Sequence, residues 1–199
     1  LDEKQILGAV FSLGLGEHEP TIRRVSERLG IGNLDASRKV QALKKRGLVR
    51  LQRGQVSITS KGRRKIKVVF IGGGFEVIHR GHLYTITKAK SLGDVLVVVV
   101  ARDRTIRERK KREPISDENQ RLALLSSLRQ VDAAILGVEG NVYDTLEKVR
   151  PDVVALGYDQ HHMESEIEGE SKTRGIKLRV VRLDSPNPNL KTSALLKEF

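Results

Sequence analysis

The 199-residue sequence predicts an α/β protein in two parts: a doubly wound parallel sheet of five strands, preceded by a small helical module that ends in a hairpin. Three observations carry this expectation. From Lys67 onward, short continuous apolar runs alternate with helical patterns, as in a parallel sheet covered on both faces. The charge is split: residues 1–66 hold 15 Lys/Arg against 6 Asp/Glu, a net +9, whereas residues 67–199 hold 22 against 19, a net +3 of the chain's +12. A glycine cluster and two histidines follow the first apolar run of the second part.

In the first part, Ile6, Ala9, Val10 and Leu13 share one helical face over Leu1–Leu13, and Ile22, Val25 and Leu29 share another over Thr21–Leu29. Gly30-Ile31-Gly32 forms a tight turn. A third helix runs from about Leu34 to Arg46, with Val40 and Leu43 inward and Gly47 as its cap. Leu48–Arg53 and Gln55–Ile58 read as strands joined at Gly54. This order resembles the winged helix-turn-helix superfamily, whose third helix enters a DNA major groove. The resemblance implies DNA contacts from the outward residues Asp35, Ser37, Arg38, Lys39, Gln41, Lys44 and Lys45, with Arg50 and Arg53 of the hairpin reaching phosphates. A solvated basic face or a homodimer contact are the alternatives. The basic junction Ser60–Lys65 is short, so domains 1–66 and 67–199 are expected to be closely coupled.

In the second part, strands are expected at Lys67–Ile71, Val95–Ala101, Ala133–Leu136, Val153–Leu156 and Lys177–Arg182. Helices are expected at Gly81–Leu92, Asp117–Leu128, Val142–Val149, Met163–Thr173 and Thr192–Glu198. The pattern is Rossmann-like, and ligands of such sheets bind beyond the strand C-terminal ends, at the switch point. That is where Gly72-Gly73-Gly74 lies, followed by His79 and His82 at the start of a helix. Two imidazoles on one side of a helix N-terminus, beside glycine backbone, suit a polyphosphate. The dinucleotide fingerprint is absent, because Val77 occupies its third glycine position, and no P-loop Gly-Lys-Ser/Thr follows.

Gly73-Gly74-Phe75-Glu76-Val77-Ile78-His79-Arg80-Gly81-His82 resembles the G-T-F-D-x-x-H-x-G-H signature of the cytidylyltransferase-like nucleotidyltransferases. Gly74 stands in place of the usual Thr and Glu76 in place of the usual Asp. Leu156-Gly157-Tyr158-Asp159-Gln160 resembles the L-G-Y-D-Q segment of the archaeal-type FAD synthetases. The resemblance implies transfer of a nucleoside monophosphate from ATP to FMN, with pyrophosphate leaving and Mg²⁺ held mainly by the substrate phosphates. It implies a nucleotide site of Gly73, Gly74, Phe75, His79, Arg80, Gly81, His82, Arg121, Asp159, Thr192 and Ser193, with His79 and His82 catalytic. Lys88, Lys90, Arg109, Lys110, Lys111 and Arg112 are candidate countercharges, and N–H groups at Gly81–Leu83 are expected to help. The charged stretch Arg102–Pro114 reads either as a solvated loop or as a flap over the triphosphate. Two rival readings are a cytidylyltransferase using CTP and glycerol 3-phosphate or a similar ester, and a DNA-binding regulator that senses a nucleotide.

Composition bounds the rest. The absence of cysteine excludes a disulfide framework and a thiolate metal site. His161 and His162 lack a third ligand at useful spacing and read as surface residues, so no protein metal site is expected. No 18-residue apolar run is present and Leu1-Asp2-Glu3-Lys4 is not a signal peptide, so a cytoplasmic protein without membrane contact is expected.

Overall fold

The computed structural model describes residues 1–16, 20–158, 160 and 163–186. The chain separates into two compact units, the first covering Leu1–Lys67 and the second beginning at Val68.

The first unit opens with α1 (Glu3–Leu15), started by a reciprocal cap in which Asp2 and Gln5 each accept the other's backbone N–H at 2.8 Å. Next comes α2 (Ile22–Leu29), capped by Thr21 and ended by left-handed Gly30 at φ 62°. It is followed by α3 (Asn33–Lys45) and an antiparallel hairpin of β1 (Val49–Gln52) and β2 (Gln55–Ile58). Arg53 and Gly54 turn the hairpin with φ of 48° and 81°, the two positive values such a tight turn demands. Leu7, Val10, Val25, Val40, Leu48 and Val56 form the buried interior. Arg38, Gln41, Lys44 and Lys45 of α3 are exposed, as are Arg50 and Arg53, whereas Ser37 and Lys39 are half-buried.

The stretch expected to be a basic junction is instead partly a packed helical turn, α4 (Ser60–Arg63). Thr59 caps it, accepting the Gly62 N–H at 3.1 Å. A Cβ at Gly62 would stand 2.1 Å from the Leu48 carbonyl oxygen, so the turn docks only because residue 62 is glycine.

The second unit runs β3 (Val68–Gly73), α5 (Arg80–Lys90), β4 (Val95–Val100), α6 (Asp103–Lys110), α7 (Glu118–Ser126), β5 (Ala133–Leu136), α8 (Val142–Val149), β6 (Val153–Leu156), α9 (Glu164–Thr173) and β7 (Arg179–Arg182). All five strands are parallel, in the order β5-β4-β3-β6-β7. The chain moves outward from β3 to β5, then returns past β3 to lay down β6 and β7, so β3 and β6 flank the switch point. Alternation along the strands sends Val69, Ile71, Val98 and Val100 into a core with Ile86 and Ala89 of α5 and Leu125 of α7. Phe70, Val99, Val154 and Leu156 face the other way, toward Leu146 of α8 and Ile167 of α9. Two aspartates pin strand starts: Asp152 accepts the Val68 N–H at 2.7 Å, and Asp132 the Leu96 N–H at 2.6 Å.

One element departs from expectation. Much of the charged stretch Arg102–Pro114 is helix α6 rather than a solvated loop. A single apolar residue, Ile106, is buried there, and ion pairs Arg104–Glu108 and Arg107–Glu113 offset part of its charge. One buried side chain in eight residues leaves no periodic apolar signal to read. The expected helix Thr192–Glu198 lies outside the described residues. Among the described residues, no helix is long and apolar enough to cross a membrane.

Candidate active site

The glycine–histidine stretch leaves the C-terminal end of β3 at the switch point, and the structure shows what each position does. Three successive carbonyls are held by three different elements. Gly72 O accepts Gln160 Nε2 at 2.9 Å, Gly73 O accepts the Ala101 N–H at 2.9 Å, and Gly74 O accepts Arg121 Nη1 at 2.6 Å. Phe75 then takes a left-handed conformation at φ 50°, which strains a bulky residue. This turns its ring back over Gly73, where an added Cβ would stand 3.0 Å from the ring. Gly73 is therefore needed first for Phe75, whose ring centroid lies 5.5 Å from that of His82.

His79 is the N-cap of α5: its Nδ1 accepts the Gly81 N–H at 3.1 Å. A neutral imidazole bound this way carries its proton on Nε2, which makes that nitrogen a donor. His82 sits one turn on, with ring centroids 4.1 Å apart. The expectation that Gly81–Leu83 supply helix N–H groups to a ligand is corrected in part, since Gly81 donates to His79 Nδ1 and Leu83 to the His79 carbonyl at 3.2 Å. Arg80 is exposed at the first position of the helix.

Glu76 points away from solvent, its side chain fully buried. Arg112 grips both carboxylate oxygens at 2.7 and 3.1 Å, the Ile115 N–H donates at 3.2 Å, and Lys110 adds its ammonium. Burial alone would raise this acid's pKa, but Arg112, Lys110 and the Ile115 N–H outweigh it and bring the pKa down to about 2. The extra methylene relative to aspartate is thus used to reach the segment after α6.

Arg121 is 1% exposed. Besides Gly74, it donates to the carbonyls of Ser116 at 3.0 Å and Ala101 at 2.8 Å, and to Asp103 Oδ1 at 2.6 Å. It is a buried clamp behind the loop, neither a surface salt bridge nor an open phosphate ligand. Arg102 plays a related part, joining the Gly137 carbonyl at 2.8 Å and Glu118 at 2.7 Å. Burial opposes ionisation of Glu118, yet the Asp103 N–H and Arg102 hold its pKa below the usual value.

A cavity of about 500 Å³ opens on the α8 and α9 side of the sheet, reaching the backbone of Gly72, Gly73 and Gly74. Its walls are largely apolar, from Phe70, Val99, Ile106, Leu146 and Leu156, while Arg102, Arg109 and Lys110 supply cations. A mostly apolar hollow with a few placed polar groups is the usual form of a site for a ring-bearing ligand.

Of the sequence-derived candidates, Gly73, Gly74, Arg109 and Lys110 line the cavity, Phe75, His79 and His82 cluster where the same loop enters α5, and Arg112 reaches the loop through Glu76. Lys88 and Lys90 do not. They lie in the last turn of α5, about 12 and about 15 Å along the axis from its start at 1.5 Å per residue. Lys90 bonds the Asp94 carbonyl at 2.7 Å and Asp132, residues just ahead of β4 and β5, so it serves the opposite edge of the sheet. Lys88 stacks over Tyr84 at 5.4 Å. Lys111 is exposed and takes the left-handed cap of α6 at φ 54°. Asp159, His161, His162, Thr192 and Ser193 lie outside the described residues. Among the described residues, no three of His, Asp and Glu gather as a metal site. Sequence reasoning passed over Gln160, whose amide also accepts the Gly157 N–H at 2.9 Å and so ties the turn after β6 to β3.

A parallel sheet with a glycine loop and a paired-histidine helix cap at its switch point defines a nucleotidyltransferase scaffold. The cytidylyltransferase-like family model matches residues 70–198, and the chain belongs to that family. The FAD synthase of Aciduliprofundum boonei is 50% identical over 115 residues, covering 58% of this chain and 76% of that protein. The FAD synthase of Thermoplasma volcanium is 44% identical over 130 residues, covering 65% and 91%. A solved structure described as a lipopolysaccharide core biosynthesis protein, also from Thermoplasma volcanium, is 45% identical with a TM-score of 0.58, covering 60% of this chain and 98% of that one.

Proposed function

We infer that the protein is an FAD synthase, transferring the adenylyl group of ATP to FMN to form FAD and pyrophosphate. The observation that carries this reading is the His79–His82 pair, its rings 4.1 Å apart at the head of α5 beside the Gly72–Gly74 backbone. The identity to proteins named FAD synthase supports the choice of substrates.

An FMN phosphate oxygen attacks the α-phosphorus of ATP, and the bond from that phosphorus to the bridging oxygen of pyrophosphate breaks. Such a step needs alignment and charge neutralisation more than a covalent nucleophile. His79 Nε2 and His82 donate to the α-phosphoryl oxygens as charge builds there. Lys110 and Arg109 line the cavity as countercharges while Arg112 is held on Glu76, and the apolar cavity has room for one substrate's ring system. Asp159, Thr192 and Ser193 remain assigned to the nucleotide by resemblance. Magnesium would arrive with the triphosphate and supply charge neutralisation; Glu76 is already occupied by Arg112 and Lys110 and is no ligand for it.

The test is turnover by the purified protein with ATP, FMN and Mg²⁺, in which FAD and pyrophosphate should appear in equal amounts. Replacing His79 or His82 with Ala should lower the rate about 100-fold, the scale of losing a preorganised charge stabiliser. Efficient use of CTP with glycerol 3-phosphate, and none of FMN, overturns the reading.

For the first unit we propose DNA binding, motivated by its +9 charge and by exposed Arg38, Lys44, Lys45 and Arg53, with Lys39 and Gln41 on the same helix. Replacing Arg38, Lys44 and Lys45 with Ala should flatten the salt dependence of DNA affinity by about two to three units of slope. A gel shift of the intact protein that fails even at low salt leaves a dimerisation or solvated surface in its place.

A further inference from the structure

The ion pairs around Glu76 are unequal, and the inequality has a consequence. Arg112 meets both carboxylate oxygens, Oε1 at 2.7 Å and Oε2 at 3.1 Å, and the Ile115 N–H meets Oε1 at 3.2 Å. Lys110 adds a third donor, on Oε2 alone. The left-handed turn at Lys111 is what brings residues 110 and 112 onto one carboxylate. Taking a partner from a buried ion ordinarily strands a charge at a cost of several kcal/mol. Here it need not, because Arg112 still covers both oxygens after Lys110 has gone. Two cations on one carboxylate also leave a surplus positive charge beside the loop.

Exposure does not separate the two cations, since the side chain of Lys110 is 43% exposed and that of Arg112 37%. Their contacts do: Arg112 holds both oxygens and also donates to the Glu113 carbonyl at 2.8 Å, whereas Lys110 holds one oxygen and is the partner that can leave. Its Nζ lies 3.7 Å from where a Gly74 side chain would begin, and it lines the cavity that reaches the Gly72–Gly74 backbone. Helix α6 is meanwhile fixed at its far end, where Asp103 pairs with Arg121 at 2.6 Å and donates its N–H to Glu118 at 2.9 Å. The movement required is that of one lysine side chain, with no displacement of the helix.

We propose that Lys110 is an exchangeable cation: Glu76 stores it beside Gly74 in the resting protein, and it transfers to the polyphosphate of the incoming nucleoside triphosphate while Arg112 stays on Glu76. Glu76 is then a positioning residue acting through Lys110. The proposal rests on the nucleotidyltransferase reading of the site. It gives the protein a way to hold a countercharge ready at the glycine loop, and it makes binding sensitive to the β- and γ-phosphates in particular.

The experiment uses the full chain, with the α,β-methylene analogue of ATP as probe and AMP as comparator. Nitrogen-detected NMR of the lysine ammonium and arginine side-chain groups is recorded at each addition. The triphosphate analogue should shift the Lys110 signal and leave that of Arg112 in place, and AMP should shift neither. In calorimetry, Lys110→Met should weaken the analogue about tenfold or more, the worth of one charge-assisted contact, and change AMP affinity less than twofold. A cooperative melt only modestly below that of wild type in that variant separates this loss from misfolding, since Arg112 and the Ile115 N–H still hold Glu76. Lys110 and Arg112 signals that shift together, an unmoved Lys110 signal in the bound state, or equal losses for AMP and the triphosphate overturn the exchange. Failure of the wild-type protein to bind the analogue at all overturns instead the nucleotidyltransferase reading beneath it.

Discussion

Acid should destabilise the second unit most strongly through Glu76, and the size of that contribution follows from its surroundings. The folded pKa is about 2 against 4.5 for an unperturbed glutamate. Each pKa unit corresponds to about 1.36 kcal/mol, so the ionised carboxylate contributes about 3 kcal/mol at neutral pH. The sign follows from a depressed folded pKa. The contribution is complete above the unfolded value near 4.5 and is lost as pH falls toward the folded value near 2. Glu76→Gln keeps the shape and one acceptor oxygen but cannot ionise, so it mimics the protonated acid at every pH. Wild type should therefore exceed this variant by about 3 kcal/mol at pH 7 and by almost nothing at pH 2, the gap closing mostly between pH 4.5 and 2. Urea unfolding followed by circular dichroism measures the gap; the chain has no tryptophan to follow by fluorescence. A gap that stays constant across that range, or one that closes as pH rises, refutes the assignment of the stability to this carboxylate.

Three further outcomes are expected. Arg121→Met leaves Asp103 and the carbonyls of Gly74, Ala101 and Ser116 without their donor and should cost about 3–5 kcal/mol in urea unfolding; a raised KM for ATP at unchanged stability would instead make Arg121 a phosphate ligand. Gly73→Ala puts a Cβ 3.0 Å from the Phe75 ring, which must shift from its place beside His82, so turnover should fall about tenfold with a stability loss of about 1–3 kcal/mol, and steady-state kinetics with parallel melting checks both. Gly62→Ala meets the Leu48 carbonyl at 2.1 Å and should undock α4, lowering the melting temperature of a fragment of residues 1–67 measured by circular dichroism.

The parts of the second unit legible in the sequence are those that need only local information. β4 is six buried residues, Val95–Val100, and no helix or loop reading competes with such a run between turn signals. The β3–glycine–histidine stretch was equally clear, because a strand, a turn without side chains and a helix cap follow each other directly along the chain. Helix α6 was not legible, since its burial rests on Ile106 alone. Lys88 and Lys90 were misplaced although the signal was present. An 11-residue helix that starts at the C-terminal edge of a parallel sheet must end near the other edge, and the length alone excludes its last turn from the site. Gln160 belongs to the Leu156–Gln160 segment that carries the resemblance, but its role was not legible, because an amide that bridges two backbone segments is fixed only when the fold brings Gly72 within its reach.

The deepest loss of information concerns charge. Among the described residues, Glu76 and Arg121 are the two charged groups in the buried set, and both hold the same loop. Residues 72–74 have no side chains to pack, so packing cannot fix where the loop lies. Its position is set by donors from Gln160, Ala101 and Arg121 on its carbonyls, and by Glu76 anchoring the segment after α6 beside it. Glu76 is separated from Lys110 and Arg112 by 34 and 36 residues, and Arg121 from Gly74 by 47. No periodicity or spacing rule links residues so far apart. A glycine loop open enough to admit a polyphosphate must be held from behind by polar groups, and these have to be buried to leave the front clear. The same requirement that makes the glycines conspicuous in the sequence therefore hides the residues that position them.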